Sequence, residues 1–271
     1  MRSKGTFISF ISIASTGVLL CACGLFEYSP FTVPAAGDES GLTAIHLERI
    51  ARTDGAGQKS FEFAVLADVQ GSYDQLSAAV ERINSDTSID FVVVAGDLTQ
   101  LGYRKEYRWC TGILAGLVPP YLMVIGNHDI QSNGMEIYRR MFGPLDFSFH
   151  YRGVKFVFYN DNAREFPCCV PDFTWLEREL GEGGDSLRKI AVSHCPPFGD
   201  QLNKASSKTL TEIYSRNWVV LSIHGHLHRA VSPGISGHHV SYLVVDNAGD
   251  WNYSKVAVTE TGFSVERVFL R

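Results

Sequence analysis

The sequence predicts an α/β chain in which two mixed β-sheets pack face to face with helices outside. Three observations carry that expectation. Apolar, β-branched runs alternate with helix-like stretches from Phe61 to Ile125, as in wound β-α-β units. Later apolar runs come in pairs flanking short glycine-containing turns, which reads as hairpins. Groups of carboxylate, imidazole and amide side chains stand directly after several of these runs, where strand ends of an α/β fold converge.

Phe61 to Ala67 is a nearly continuous apolar run interrupted by Glu62, the pattern of a strand buried on both faces, and Asp68 closes it. Ser72-Tyr73-Asp74-Gln75 then has the order of a capping box, with Tyr73, Leu76, Val80 and Ile83 at helical spacing behind it. Ile89 to Ala95 is a second β-branched run ending at Gly96-Asp97, which completes a β-α-β unit. The cycle repeats with a helix from Arg104 to Leu114, a strand from Tyr121 to Ile125 and the turn Gly126-Asn127-His128-Asp129. Farther on, Phe147 to Tyr151 and Val154 to Tyr159 flank Arg152-Gly153, and Val256 to Thr259 and Phe263 to Phe269 flank a turn containing Gly262. Between the hairpins a helix fits from Asp172 to Leu180, and Leu187 to Ser193 and Val219 to Ile223 are further strand-like runs. The later strands therefore read as antiparallel rather than wound.

The N-terminus carries Arg2 and Lys4, an apolar stretch from Phe7 to Leu20, and then Leu20-Cys21-Ala22-Cys23-Gly24. Charge, apolar run and small residues in this order describe an export signal over residues 1–22. The Leu-x-Ala-Cys end resembles a bacterial lipobox, which makes Cys23 the first mature residue and a lipid carrier. An ordinary cleaved signal and an uncleaved anchor are the alternatives; the run is short for the roughly 20 residues that span a bilayer. The expectation is an exported chain of a bacterial cell envelope, held to a membrane by the lipid anchor at Cys23. Residues 23–59, with Pro30, Pro34, Gly37, Gly41, Gly55 and Gly57, read as a tether, within which Leu42 to Ile50 is apolar enough to add an edge element.

Residues 60–271 then form a single domain long enough to bury a sizeable core. A formal charge of −5 over 271 residues, without a basic patch, gives no footprint for nucleic acid, and an anionic substrate must be captured by metal. Of the cysteines in the mature part, Cys110, Cys168, Cys169 and Cys195 carry little functional signal, and Cys195 reads as a small packed residue.

The chemistry is concentrated in Asp68-Val69-Gln70, Gly96-Asp97, Gly126-Asn127-His128-Asp129, Ser193-His194 and His224-Gly225-His226-Leu227-His228. Carboxylates, imidazoles and amides suit hard or borderline divalent and trivalent ions, whereas a thiolate-rich set would point to structural zinc. His226 and His228 are two apart, so on an extended segment they point the same way. Asp68 or Asp97 alone would pass for a turn acid; jointly, in this order, the blocks do not.

The ordered set resembles the calcineurin-like metallophosphoesterase family, whose pattern is D-x-H, G-D, G-N-H-D/E, a lone His and G-H-x-H, over residues 61 to 230. The resemblance implies a four-layer αββα sandwich and two metal ions (manganese, iron or zinc). Asp97 would bridge them, Asp68, Gln70 and His228 would complete the first, and Asn127, His194 and His226 the second. His128 would face substrate as general acid or oxyanion stabiliser, and Asp129 would either hold its imidazole or cap the turn. Gln70 departs from the pattern, and its neutral amide is a weaker ligand than imidazole. The implied activity is hydrolysis of a phosphomonoester or phosphodiester. Hydrolysis of a phosphoanhydride or lipid-linked phosphate, and a non-catalytic binding lipoprotein, are the alternatives. The expected partner is a phosphorylated small-molecule or lipid-linked substrate. Selectivity is assigned to the loops Leu98–Tyr107, Asp161–Asp172 and Phe198–Lys208. His46, His150, His238 and His239 read as surface residues, and His224 as a bystander.

Overall fold

The computed structural model describes residues 29, 31–33, 40–55, 57–165, 170–184, 188–235 and 239–270. The export signal, Cys23, Cys168, Cys169 and His238 lie outside them. Among the described residues, no helix is long and apolar enough to cross a membrane.

Helix α1 (Leu42–Thr53) precedes β1 (Phe61–Leu66), α2 (Tyr73–Asn84), β2 (Ile89–Val94), α3 (Arg104–Leu114), β3 (Tyr121–Met123) and α4 (Gly134–Met141). The second half runs β4 (Phe147–Tyr151), β5 (Val154–Phe158), α5 (Phe173–Gly181), β6 (Arg188–Val192), α6 (Lys204–Arg216), β7 (Val219–His224), β8 (Val231–Ile235), β9 (Ser241–Val244), β10 (Asn252–Val258) and β11 (Phe263–Phe269). One sheet has five strands in the order β11-β10-β1-β2-β3, and the other has six in the order β4-β5-β6-β7-β9-β8.

The strand pattern separates the layers residue by residue. On β1 and just beyond it, Phe61, Phe63, Val65 and Ala67 face the inter-sheet core with Phe91, Phe156 and Ile223, while Ala64 and Leu66 face helices α2, α3 and α4. A third cluster, including Leu176, Leu180, Leu210 and Tyr214, lies between the second sheet and helices α5 and α6. Side chains alternate across a strand, so one continuous apolar run fills two cores. Phe63, Phe91 and Phe156 knit the sheets together, with ring centroids 5.1 to 5.6 Å apart. This is the expected αββα arrangement.

Several sequence expectations are corrected. Strands β5, β6, β7 and β9 run parallel; the crossover helices α5 and α6 return the chain to the same edge, so only β4 and β8 are antiparallel members of that sheet. The loop expected to reach Lys208 ends in helix α6, capped by Asn203, whose side chain accepts from Ser206 N at 3.0 Å. Ser72 precedes α2 but its side chain makes no capping bond. Leu42–Thr53, inside the stretch read as a tether, is a helix: Thr43 N donates to Phe142 O, Arg49 donates to Val118 O, and Ile50 enters the inter-sheet core. Helix α1 thereby covers the outer side of β3, the edge of its sheet. His46 is not a surface residue, since it is buried on this helix against the Tyr121 ring with centroids 4.1 Å apart. His150 and His239 are exposed, as expected.

Candidate metal centre

All of the expected ligands gather where the parallel strands of both sheets end. Asp68 and Gln70 follow β1, Asp97 follows β2, Asn127 and His128 follow β3, His194 follows β6, and His226 and His228 follow β7. The loops are tied to one another by backbone bonds: Asp68 N donates to Gly96 O, Val69 N to Asp97 O, and Gly225 N to His194 O. The first sheet thus supplies the carboxylates and amides, and the second supplies the imidazoles.

The backbone is strained where these side chains are launched. Asp68, Gln70, Asp97, His226 and His228 all have positive φ, between 36° and 70°. Left-handed conformations are costly for residues other than glycine and accumulate at functional sites. Close approach is secured by glycines. A Cβ on Gly96 would strike the His194 ring, one on Gly126 would strike the Asp97 carboxylate, and one on Gly225 would stand 2.6 Å from Asp68 Oδ2.

The polar atoms converge in one network. Asp68, Asp97 and His194 are almost completely buried, and each offers a ligand atom within 4.8 Å of the others. His194 Nδ1 donates to Ala95 O at 2.8 Å, which leaves Nε2 of a neutral ring as a bare lone pair. That atom lies 3.2 Å from Asp97 Oδ2 and 3.1 Å from Asn127 Oδ1. His228 Nε2 reaches Asp68 Oδ1 at 3.3 Å, and His226 N donates to both oxygens of the same carboxylate at 3.1 and 2.9 Å. His226 Nδ1 lies 2.9 Å from Asn127 Oδ1, while its Nε2 faces Asp200 Oδ1 at 3.0 Å. Gln70 Nε2 donates to Asp97 Oδ2 at 2.7 Å, and His128 N donates to Oδ1 of that residue at 2.8 Å.

A carboxylate oxygen cannot face an imidazole lone pair in a buried pocket without a cation between them. Burial disfavours the charged ring, but the adjoining Asp97 carboxylate overrides it and raises His194 to about 10. Burial likewise pushes Asp97 up, and the His194 and His128 contacts pull it net below the ordinary range. A proton is favoured between Asp97 and His194, and the same set of donors suits a metal ion, which the residues fit.

His128 is half-buried and its Nδ1 donates to Gln100 O at 2.9 Å, which leaves Nε2 as the ring nitrogen free for a substrate. Of the two roles open to Asp129, the geometry matches the turn clamp. Its buried carboxylate accepts from Leu98 N, Thr99 N, Thr99 Oγ1 and Gly126 N, binding the loop after β2 to the loop after β3. Burial and the charge of Asp97 raise it to about 7 against those donors.

Behind the ligands, His224 is more than a bystander. It belongs to a buried ring in which Ser193 Oγ meets Tyr159 and His224 Nδ1, Ser222 Oγ meets His224 Nε2 and Tyr214, and the two tyrosine hydroxyls meet each other. Burial first and the charge of His194 second depress His224 to about 3, so it is neutral. The ring braces the ends of β6 and β7. Cys195, as expected, is packed, and its N–H donates to both oxygens of the buried Asp161 at 3.1 Å. Sequence reasoning did not single out Asp161, Arg164, Gln100 or Asp200 within its loops, because an isolated polar residue in a loop carries no spacing signal.

The calcineurin-like phosphoesterase family model matches residues 61–230. A probable cyclic nucleotide phosphodiesterase of Rhodopseudomonas palustris is 31% identical over 182 residues, covering 59% of this chain and 64% of that protein. A glycerophosphodiester phosphodiesterase of Enterobacter lignolyticus is 28% identical over 122 residues, covering 41% and 44% respectively. The chain thus spans less than two thirds of the length of these relatives. Among solved structures, the purple acid phosphatase PPD1 of yellow lupin superposes with a TM-score of 0.61 at 14% identity, over 80% of this chain and 52% of that one. GAP50, the anchor in the inner membrane complex of Plasmodium, superposes with a TM-score of 0.62 at 13% identity, over 79% and 86%. The likeness to these two structures is one of fold. The chain belongs to the calcineurin-like phosphoesterase family.

Proposed function

We propose that this protein is a metal-dependent hydrolase of phosphate esters that acts on a phosphodiester. The observation that carries the reading is the buried meeting of Asp97 Oδ2 with Nε2 of His194, 3.2 Å apart, beside Asp68. The phosphodiesterase relatives favour the diester over the monoester. Asp68, Gln70, Asp97 and His228 would hold one ion and Asp97, Asn127, His194 and His226 another. Bound there, divalent or trivalent ions of manganese, iron or zinc would supply Lewis-acid polarisation of a phosphoryl oxygen and acidify a water to serve as nucleophile at neutral pH. The protein's own part is to orient. His194 is fixed by Ala95 O, His226 by Asp200, and Asp97 by His128 N and Gln70. With Nδ1 committed to Gln100 O, His128 offers Nε2–H to the departing alkoxide when protonated, which is general acid catalysis.

The test is hydrolysis of bis(4-nitrophenyl) phosphate, 4-nitrophenyl phosphate and pyrophosphate by protein loaded with Mn²⁺. A preference for the first is expected, and a preference for pyrophosphate would move the reading to phosphoanhydrides. The second reading is a non-catalytic binding lipoprotein. It draws on one observation, that Gln70 directs its amide nitrogen rather than its oxygen at Asp97. Protein that holds less than one equivalent of Mn²⁺ and hydrolyses none of the three substrates would establish it. From Leu20-Cys21-Ala22-Cys23 we infer export and lipid anchoring at Cys23. A Cys23→Ser variant that stays in the membrane fraction would overturn that inference.

A further inference from the structure

Asp200 stands in the loop between β6 and α6 and uses its two oxygens on different partners. Oδ1 accepts from His226 Nε2 at 3.0 Å, and Oδ2 accepts from Arg164 Nη1 at 2.9 Å. The first contact settles the tautomer: a carboxylate only accepts, so His226 carries its proton on Nε2 and turns Nδ1 toward Asn127 and the ligand cluster. A carboxylate placed behind a ligating imidazole in this way fixes the ring and raises its basicity. The second contact sets a guanidinium on the other oxygen of the carboxylate that holds this imidazole. Arg164 and Asp200 are more than half exposed, so the pair itself adds little stability. Its placement is what is constrained. The loop after β5 and the loop after β6 are stitched together by Asp161 with Cys195 N, by Arg164 N with the buried Gln201 side chain at 3.3 Å, and by the Arg164–Asp200 pair. One guanidinium donor is spent on Asp200, and the fork retains others for a planar or tetrahedral oxyanion.

We propose that Asp200 is a positioning residue that aims His226 at its metal, and that it holds Arg164 over the centre as the clamp for the substrate's phosphate oxygens. This rests on the metallophosphoesterase reading. It divides two effects between two neighbouring residues. Removing the carboxylate disturbs metal binding, whereas removing the guanidinium disturbs anion binding and leaves the metal alone.

The experiment uses the full chain and reads Mn²⁺ affinity by electron paramagnetic resonance, competition by inorganic phosphate, and kcat and KM for bis(4-nitrophenyl) phosphate. Asp200→Ala is expected to weaken Mn²⁺ binding by about 10- to 100-fold, with Asp200→Asn between it and wild type. Arg164→Gln is expected to leave Mn²⁺ binding unchanged and to weaken phosphate competition by about 10- to 100-fold, the size of a lost charged hydrogen bond. Its effect should fall on KM rather than kcat, with partial recovery in Arg164→Lys. Wild-type Mn²⁺ affinity in Asp200→Ala, or unchanged phosphate competition in Arg164→Gln, overturns the assignment of that residue while the proposed function stands. A wild-type chain that binds no Mn²⁺ overturns both.

Discussion

At the scale of single residues, the centre is a set of lone pairs that need positive charge. Asp97 touches Gln70, His128 and His194 at once. Asp97→Asn should therefore abolish tight metal binding and turnover together; metal analysis showing a full complement in that variant would reject the bridging role. His128 touches the cluster only through its backbone N–H among the bonds described. His128→Ala should reduce kcat by about 10²- to 10⁴-fold with metal content unaltered, and lost metal would reassign it as a ligand. Gln70→His should tighten the first position, which a Mn²⁺ titration can read. The ligand types and their order were legible in the sequence because each block has its own fixed spacing. The direction of the Gln70 amide and the roles of Asp129 and Asp200 were not, since each depends on a partner 26 to 30 residues away.

At the scale of elements, β1, β2 and the first two wound helices were legible because buried strands and amphipathic helices differ in period. The parallel sense of β6, β7 and β9 was hidden, because an apolar run reads the same whichever way its neighbour points. Helix α1 was legible only as an apolar interval from Leu42 to Ile50 fit for an edge element, its helical form masked by the prolines and glycines around it, and Ile50 and His46 tie it to the core and β3. Its attachment carries a pH dependence. Burial, with the Arg49 charge adding to it, lowers His46 from 6.5 to about 4, so the native state keeps this ring neutral while the unfolded chain protonates it. Stability is then fully present above pH 6.5 and is lost as the pH falls toward 4, with a slope of about one proton. Replacing His46 by Gln should flatten urea midpoints across that window. An unchanged slope would mean that α1 does not protect the ring.

At the scale of the whole molecule, a five-stranded and a six-stranded sheet share one aromatic core and meet again at the site. Mn²⁺ in hundredfold excess over its dissociation constant should stabilise the fold by about 2.7 kcal/mol, measured as a rise in melting temperature reversed by chelation. No such rise would argue against metal held by folded ligands alone. The division of ligands between the sheets has a mechanical meaning. Because Asp68 and Asp97 hang from one layer and His194 and His226 from the other, an ion held by the proposed ligands would act as a rivet through both. Without it, the layers are joined at that rim only by the contacts among these side chains, so amide hydrogens there should exchange first, while the phenylalanine-lined end stays shut.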